Sequence, residues 1–172
     1  MTDKVRELFD DHHVAIYRYL RKLTGRPDFA EDLTQEVFLR VIRHADTFDS
    51  RGRDRAWLLR IARNLAFDER RKEWRAPRPT NNPATLEQRR SDSQVLAICL
   101  EEALAELSDD ERDAFLLREI AGLSYLEIAS VCGGSREAVR SRIYRARCTL
   151  RSALGGAPTT VPLVEERPRN YP

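Results

Sequence analysis

The chain has 172 residues, 41% hydrophobic and 34% charged, with a net charge of +2, so it is a globular protein of one medium domain or two small ones. It has no apolar run near the ~20 residues a bilayer span needs, and its opening, MTDKVRELFDDHH, carries acids where a signal peptide is basic and then apolar. Cys99, Cys132 and Cys148 are an odd set without C-x-x-C spacing, which excludes a disulfide framework or thiolate zinc site and fits reduced thiols in a cytosolic protein. Breakers mark the organisation: three of eight prolines fall in 76–94 and four in 158–172, while the glycines sit at segment boundaries. The stretches between them are helix-periodic, and none shows sustained β alternation. The expected fold is all-α, with two small helical domains joined by a flexible linker.

Residues 4–24 predict a first helix with an apolar stripe of Val5, Leu8, Phe9, Ile16, Leu20 and Leu23, ended by Gly25. His12 and His13 follow two aspartates, but adjacent helical residues point apart, so they do not make a metal site. Residues 28–45 predict a second helix, opened by Asp28 and Glu31 in capping-box spacing. Ala30, Leu33, Val37, Val41 and Ile42 face inward, which leaves Phe29, Phe38 and Leu39 as more apolar surface than one stripe needs. Acids lead and bases follow, as the helix dipole favours. Such a helix is either an ordinary bundle member or a partner-binding face with apolar anchors and an acidic rim.

After a loop at 46–52, a third helix runs from about Arg53 to Arg75, with Trp57, Leu58, Ile61, Ala62 and Leu65 toward the core. Residues 51–75 hold nine bases and four acids, net +5, interleaved with Asn64, Phe67 and Trp74. Rings beside cations suit single-stranded nucleic acid, although Trp57 reads better as core. Residues 76–94 are linker by composition. A helix over 95–107 follows, with Val95, Ile98, Leu104 and Leu107, and then one opened by a capping box at Ser108 and Glu111, bearing Phe115, Leu116 and Ile120 and closed at Gly122. Seven acids and one base crowd residues 101–113; they either shield a basic neighbour or balance the lobe's charge.

Ser124 and Glu127 form another capping box, so a helix starts at Tyr125, with Ile128, Ala129 and Val131 inward. Gly133 and Gly134 break it, and Ser135 caps the next, whose apolar positions are Ala138, Val139, Ile143, Ala146 and Leu150. Six arginines and one acid between Ser135 and Arg151 give this helix a net +5. Short helix, glycine turn and arginine helix make a helix-turn-helix, whose second helix enters the DNA major groove. Arginine suits phosphate and guanine edges through its bidentate fork. Residues 155–172 read as a disordered tail. The resulting division is 1–75, linker 76–94, 95–154 and tail 155–172.

The sequence resembles a bacterial RNA polymerase sigma factor of the sigma-70 family, in the extracytoplasmic-function (ECF) group. AEDLTQEVFLRV (30–41) is similar to the polymerase-binding helix of region 2, and AWLLRIARNLAFDERR (56–71) to the segment that recognises and melts the −10 element. Residues 107–151 are similar to region 4, which binds the −35 element. Three positions depart from the family pattern: Asp54 replaces an aromatic, Gly134 an aliphatic residue and Ala138 a frequent threonine.

The resemblance implies a dissociable initiation subunit that is not an enzyme, with no metal or cofactor. Its implied partners are core RNA polymerase and promoter DNA, with an anti-sigma protein left open, no membrane insertion and a cytoplasmic location. Asp32, Leu33, Gln35, Glu36, Phe38 and Leu39 would contact polymerase. Arg53, Arg60, Asn64, Asp68 and Arg71, with loop 48–53, would handle the −10 strand. Ser135, Arg136, Glu137, Val139, Arg140, Ser141 and Arg142 would face the −35 groove, with Arg145 and Arg147 nearer phosphates. The rival reading is a stand-alone helix-turn-helix regulator, which leaves the acidic-apolar second helix and the second basic segment unexplained. A palindromic site bound by a dimer would favour it.

Overall fold

The computed structural model describes residues 2–43, 53–75 and 92–155, with side chains described over 4–43, 53–72 and 97–155. Among them are seven helices and no strand: α1 (Thr2–Thr24), α2 (Pro27–Arg43), α3 (Asp54–Arg75), α4 (Asp92–Ala105), α5 (Asp109–Glu119), α6 (Tyr125–Cys132) and α7 (Arg136–Ala153). Helices α1–α3 pack on one another as an N-terminal lobe, and α5–α7 with α4 form a C-terminal lobe. The expected loop at 46–52, the stretch 76–91 and the tail from 156 onward lie outside the described residues.

Local signals set most helix ends. Gly25 ends α1 at φ 71°, its N–H donating to the Arg21 carbonyl at 2.9 Å. α2 opens differently from the expectation. Pro27 is its first residue, and Asp28 lies inside the first turn rather than capping it. Proline suits that position because its missing N–H would have no helical partner there. Both capping boxes in the C-terminal lobe form, Ser108 with Glu111 and Ser124 with Glu127, and the Ser135 hydroxyl accepts from the Ala138 N–H at 3.1 Å. Of the two turn glycines, Gly133 alone takes the left-handed region, at φ 70°. α4 begins at Asp92, three residues before the expected start, with an acid favourably placed at a helix N-terminus.

The N-terminal core joins Leu8, Ile16, Tyr19 and Leu20 of α1 to Leu33, Val37 and Val41 of α2 and Leu58, Leu59, Ala62 and Leu65 of α3. Trp57 and Ile61 pack against its edge, which places Trp57 with the core rather than with a base. In the C-terminal lobe Leu116, Leu117, Leu123, Ile128, Val139, Ile143 and Leu150 interlock. Full burial of such a side chain is worth about 1.5–3 kcal/mol. Three expected apolar positions are on the surface instead: Phe9 is 41% exposed, Ile42 54% and Ile120 38%. Ile42 lies at the flank of the α2 stripe, and Ile120 is the residue that caps the C-terminal end of α5.

Candidate nucleic-acid and partner interfaces

On α2 the buried stripe is Ala30, Leu33, Thr34, Val37, Phe38 and Val41. Leu33 and Phe38, expected to contact a partner, therefore belong to the core. Phe38 meets Phe9 edge-on, ring centroids 4.8 Å apart, which covers it. Asp32, Gln35 and Leu39 are exposed, and Glu36 is half-buried and paired with Arg40 at 3.0 Å. Ile42 joins Leu39 one turn on, so the open face of α2 carries two aliphatic anchors with an acidic rim. Sequence reasoning placed Ile42 inside. Its i, i+3 spacing from Leu39, on the side away from Val37 and Val41, is the signal that would have found it.

On α3, Arg60, Asn64, Asp68 and Arg71 fall at helical spacing and are all exposed, as is Arg53 just before the helix. They share one face of the helix. The Arg63 guanidinium stacks over the Phe67 ring at 4.5 Å, so this aromatic is held by its own helix. The Trp74 side chain and loop residues 48–52 lie outside the described side chains.

α7 buries Val139, Ile143, Ala146 and Leu150 as one stripe. Val139, expected at the DNA groove, is thus a core residue that anchors the helix. Ser135, Arg136, Glu137, Arg140, Ser141, Arg145 and Arg147 are exposed, and Arg142 is half-buried. Three of these arginines are tied to α5 and its end: Arg142 to Asp110 at 2.8 Å, Arg145 to Glu111 at 2.7 Å and Arg147 to Glu119 at 2.5 Å. The hydrogen bond from Arg145, then that from Ser108, holds the Glu111 carboxyl below its usual range. Arg140 has no ion pair among the described residues. Surface pairs of this kind are worth only about 0.2–1 kcal/mol, so phosphates exchange for them readily.

The acidic run thereby divides its labour. Asp110 and Glu111 hold the basic helix, while Glu101, Asp109 and Asp113 reach α1 and α3, through Lys22, Arg70 and Arg63. The Asp113 contacts were missed by sequence reasoning, and no local signal announces them.

Two helical lobes, each with a basic face, the second a helix-turn-helix and the first with an acidic-apolar helix besides, define a DNA-reading subunit with a protein partner. The comparisons agree. The family model described as Sigma-70 region 2 matches residues 8–76, and that described as Sigma-70, region 4 matches residues 97–150. The chain is 34% identical over 156 residues to the ECF RNA polymerase sigma factor SigL of Mycobacterium tuberculosis, covering 87% of this chain and 88% of the relative. It is 38% identical over 125 residues to a probable RNA polymerase sigma-C factor of Mycobacterium bovis, covering 70% and 68%. Its structure superposes with a TM-score of 0.74 and 27% identity on the sigma factor RpoE of Bartonella quintana in complex with the anti-sigma factor NepR, over 90% of this chain and 98% of that one. CnrH in complex with the cytosolic domain of CnrY gives a TM-score of 0.70 at 27% identity, over 90% of each chain. The chain belongs to the sigma-70 family of RNA polymerase sigma factors, in the ECF group. It is an alternative sigma factor, the subunit that binds core polymerase and directs initiation at particular promoters.

Proposed function

We propose that the exposed face of α2, with Asp32, Gln35, Glu36, Leu39 and Ile42, docks on core polymerase. In this reading Arg53, Arg60, Asn64, Asp68 and Arg71 of the first lobe handle the −10 strand, and α7 reads the −35 duplex. The observation that carries it is the pair of basic faces, one per lobe, beside an acidic-apolar face on α2 that neither core uses. The chain's own work is binding and positioning; it supplies no catalytic group or cofactor, and it operates in the cytoplasm with polymerase and promoter. An anti-sigma protein is a further partner, since the similar sigma factor RpoE of Bartonella quintana is held in a complex with the anti-sigma factor NepR.

Within α7 the roles differ. Arg140 is exposed, with no ion pair among the described residues, near the helix start, where base-edge contacts concentrate. Arg145 and Arg147, drawn back toward α5, suit phosphates. Arg140→Ala is expected to cost about 1–3 kcal/mol in duplex binding and to relax specificity at one base position. Arg147→Ala is expected to weaken all sequences alike and to lower the salt slope by about 1. Titrations on a set of single-base promoter variants at several salt concentrations read both. If Arg140→Ala behaves like Arg147→Ala, α7 is not reading sequence through Arg140.

A further inference from the structure

Three arginines of α7 are tied to acids of α5, but not through the same nitrogen. Arg142 donates through Nη2 to Asp110 Oδ2 at 2.8 Å, and Arg147 through Nη2 to Glu119 Oε1 at 2.5 Å. Arg147 also bonds the Tyr125 side chain. Arg145 donates through Nε, to Glu111 Oε1 at 2.7 Å. The difference decides what each guanidinium still offers. Nη1 and Nη2 form a planar fork that grips two oxygens at once. A phosphate approaching Arg142 or Arg147 must displace an acid from that fork. At Arg145 nothing is displaced: its Nη groups have no hydrogen-bond partner among the described residues, and its side chain is 58% exposed.

Glu111 is itself fixed. Its Oε2 accepts the Ser108 N–H at 3.4 Å, and its own N–H donates to the Ser108 hydroxyl at 3.4 Å, which closes the capping box of α5. Both carboxylate oxygens are thus in use, one toward the helix start and one toward Arg145. Hydrogen bonds from Arg145 and then from Ser108 keep the carboxyl below its usual range, so it is ionised at neutral pH. A chain of contacts therefore runs from the start of α5 through Glu111 to the guanidinium of Arg145. A free arginine gives up much rotamer freedom when it binds, and one already held gives up less.

We propose that Glu111 is a positioning residue for DNA binding: anchored by the capping box, it holds Arg145 by Nε and leaves the terminal fork open for bidentate contact with a phosphate of the −35 duplex. The proposal rests on the assignment of α7 to that duplex. Its sign is the opposite of the ordinary one. A carboxylate near a phosphate backbone repels it, so removing an acid there normally raises affinity. Removing Glu111 lowers it, because the arginine loses its orientation. Asp110 and Glu119 differ from Glu111 in this respect, since they occupy the Nη2 that a phosphate would take.

The test titrates the full chain with a −35 duplex and with an unrelated duplex at several salt concentrations. Arg145→Ala is expected to weaken both about tenfold and to lower the salt slope by about 1. Glu111→Ala is expected to weaken both about fivefold with helix content unchanged, and to add nothing in the Arg145→Ala background. Glu111→Gln keeps an acceptor for Nε and for the Ser108 N–H, so it should lose no more than about twofold. Ser108→Ala removes the cap hydroxyl but keeps the N–H that holds Oε2. It should lower the melting temperature and leave both affinities in place, which separates helix capping from positioning. Higher affinity in Glu111→Ala, a loss that persists in the Arg145→Ala background, or an equal loss in Ser108→Ala would overturn the positioning. A loss confined to one base position would overturn the phosphate contact. If Arg145→Ala itself changes neither affinity nor slope, the assignment of α7 falls; if it weakens binding and Glu111→Ala does not, the positioning alone falls.

Discussion

A chain carrying Asp32→Lys together with Leu39→Ala is expected to lose about 2–5 kcal/mol of affinity for core polymerase, on the order of 30-fold at the low end. The charge reversal faces the partner with the wrong sign, and the truncation removes an aliphatic anchor of the kind that dominates interface energy. Both residues are exposed on α2, so the thermal unfolding of the free protein should move by no more than about 0.5 kcal/mol. Phe38→Ala is the informative contrast. Phe38 is 6% exposed and lies against Phe9, so its loss should cost about 3–5 kcal/mol of folding stability. Fluorescence titration with core polymerase and a melting curve separate the two. Unchanged affinity in the double variant would mean that α2 docks on something else.

Ile143→Ala is expected to destabilise the C-terminal lobe by about 2–5 kcal/mol. Ile143 is 1% exposed and sits mid-stripe between Val139 and Ala146, where α7 meets α5 and α6. A cavity there loosens the helix that presents Arg140, so duplex binding at the −35 element should fall with the folded fraction of the lobe. Polymerase binding through α2 should persist, because Ile143 belongs to α7, which packs on α5, α6 and α4 in the other lobe. Denaturant titration followed on the two lobes separately would show one transition shifted and the other in place. Equal shifts would mean that the lobes fold as one unit.

What the sequence made legible was local. A capping box joins residues three apart, so Ser108 with Glu111 and Ser124 with Glu127 could be read from spacing alone. The buried stripe of α7 follows from helical period in the same way. Flank positions were not legible. Phe38 and Ile42, one turn apart, lie on the same flank of the Val37–Val41 stripe, and α1, through Phe9, covers the first and leaves the second open. Asp113 was the least legible residue. In sequence it is one acid among seven, a solvated run by any local rule, yet its partners lie 50 and 94 residues away. Val139 shows the same limit in reverse: expected at the DNA groove, it lies in the buried stripe of α7.

The two basic faces, one per lobe, are expected to act together on one promoter. α3 ends at Arg75 and α4 begins at Asp92, so the sixteen residues 76–91 reach at most about 53–58 Å. At ~3.4 Å per base pair, that reach covers about 16 base pairs, between one and two helical turns. The most direct measurement is transcription by core polymerase with this chain, on templates whose spacer between the two elements varies by single base pairs. Activity is expected to peak at one spacing and to fall sharply when the spacer changes by about half a turn, since the elements then face opposite sides of the duplex. A flat response across half a turn, or full activity from a template with only one element, would contradict it.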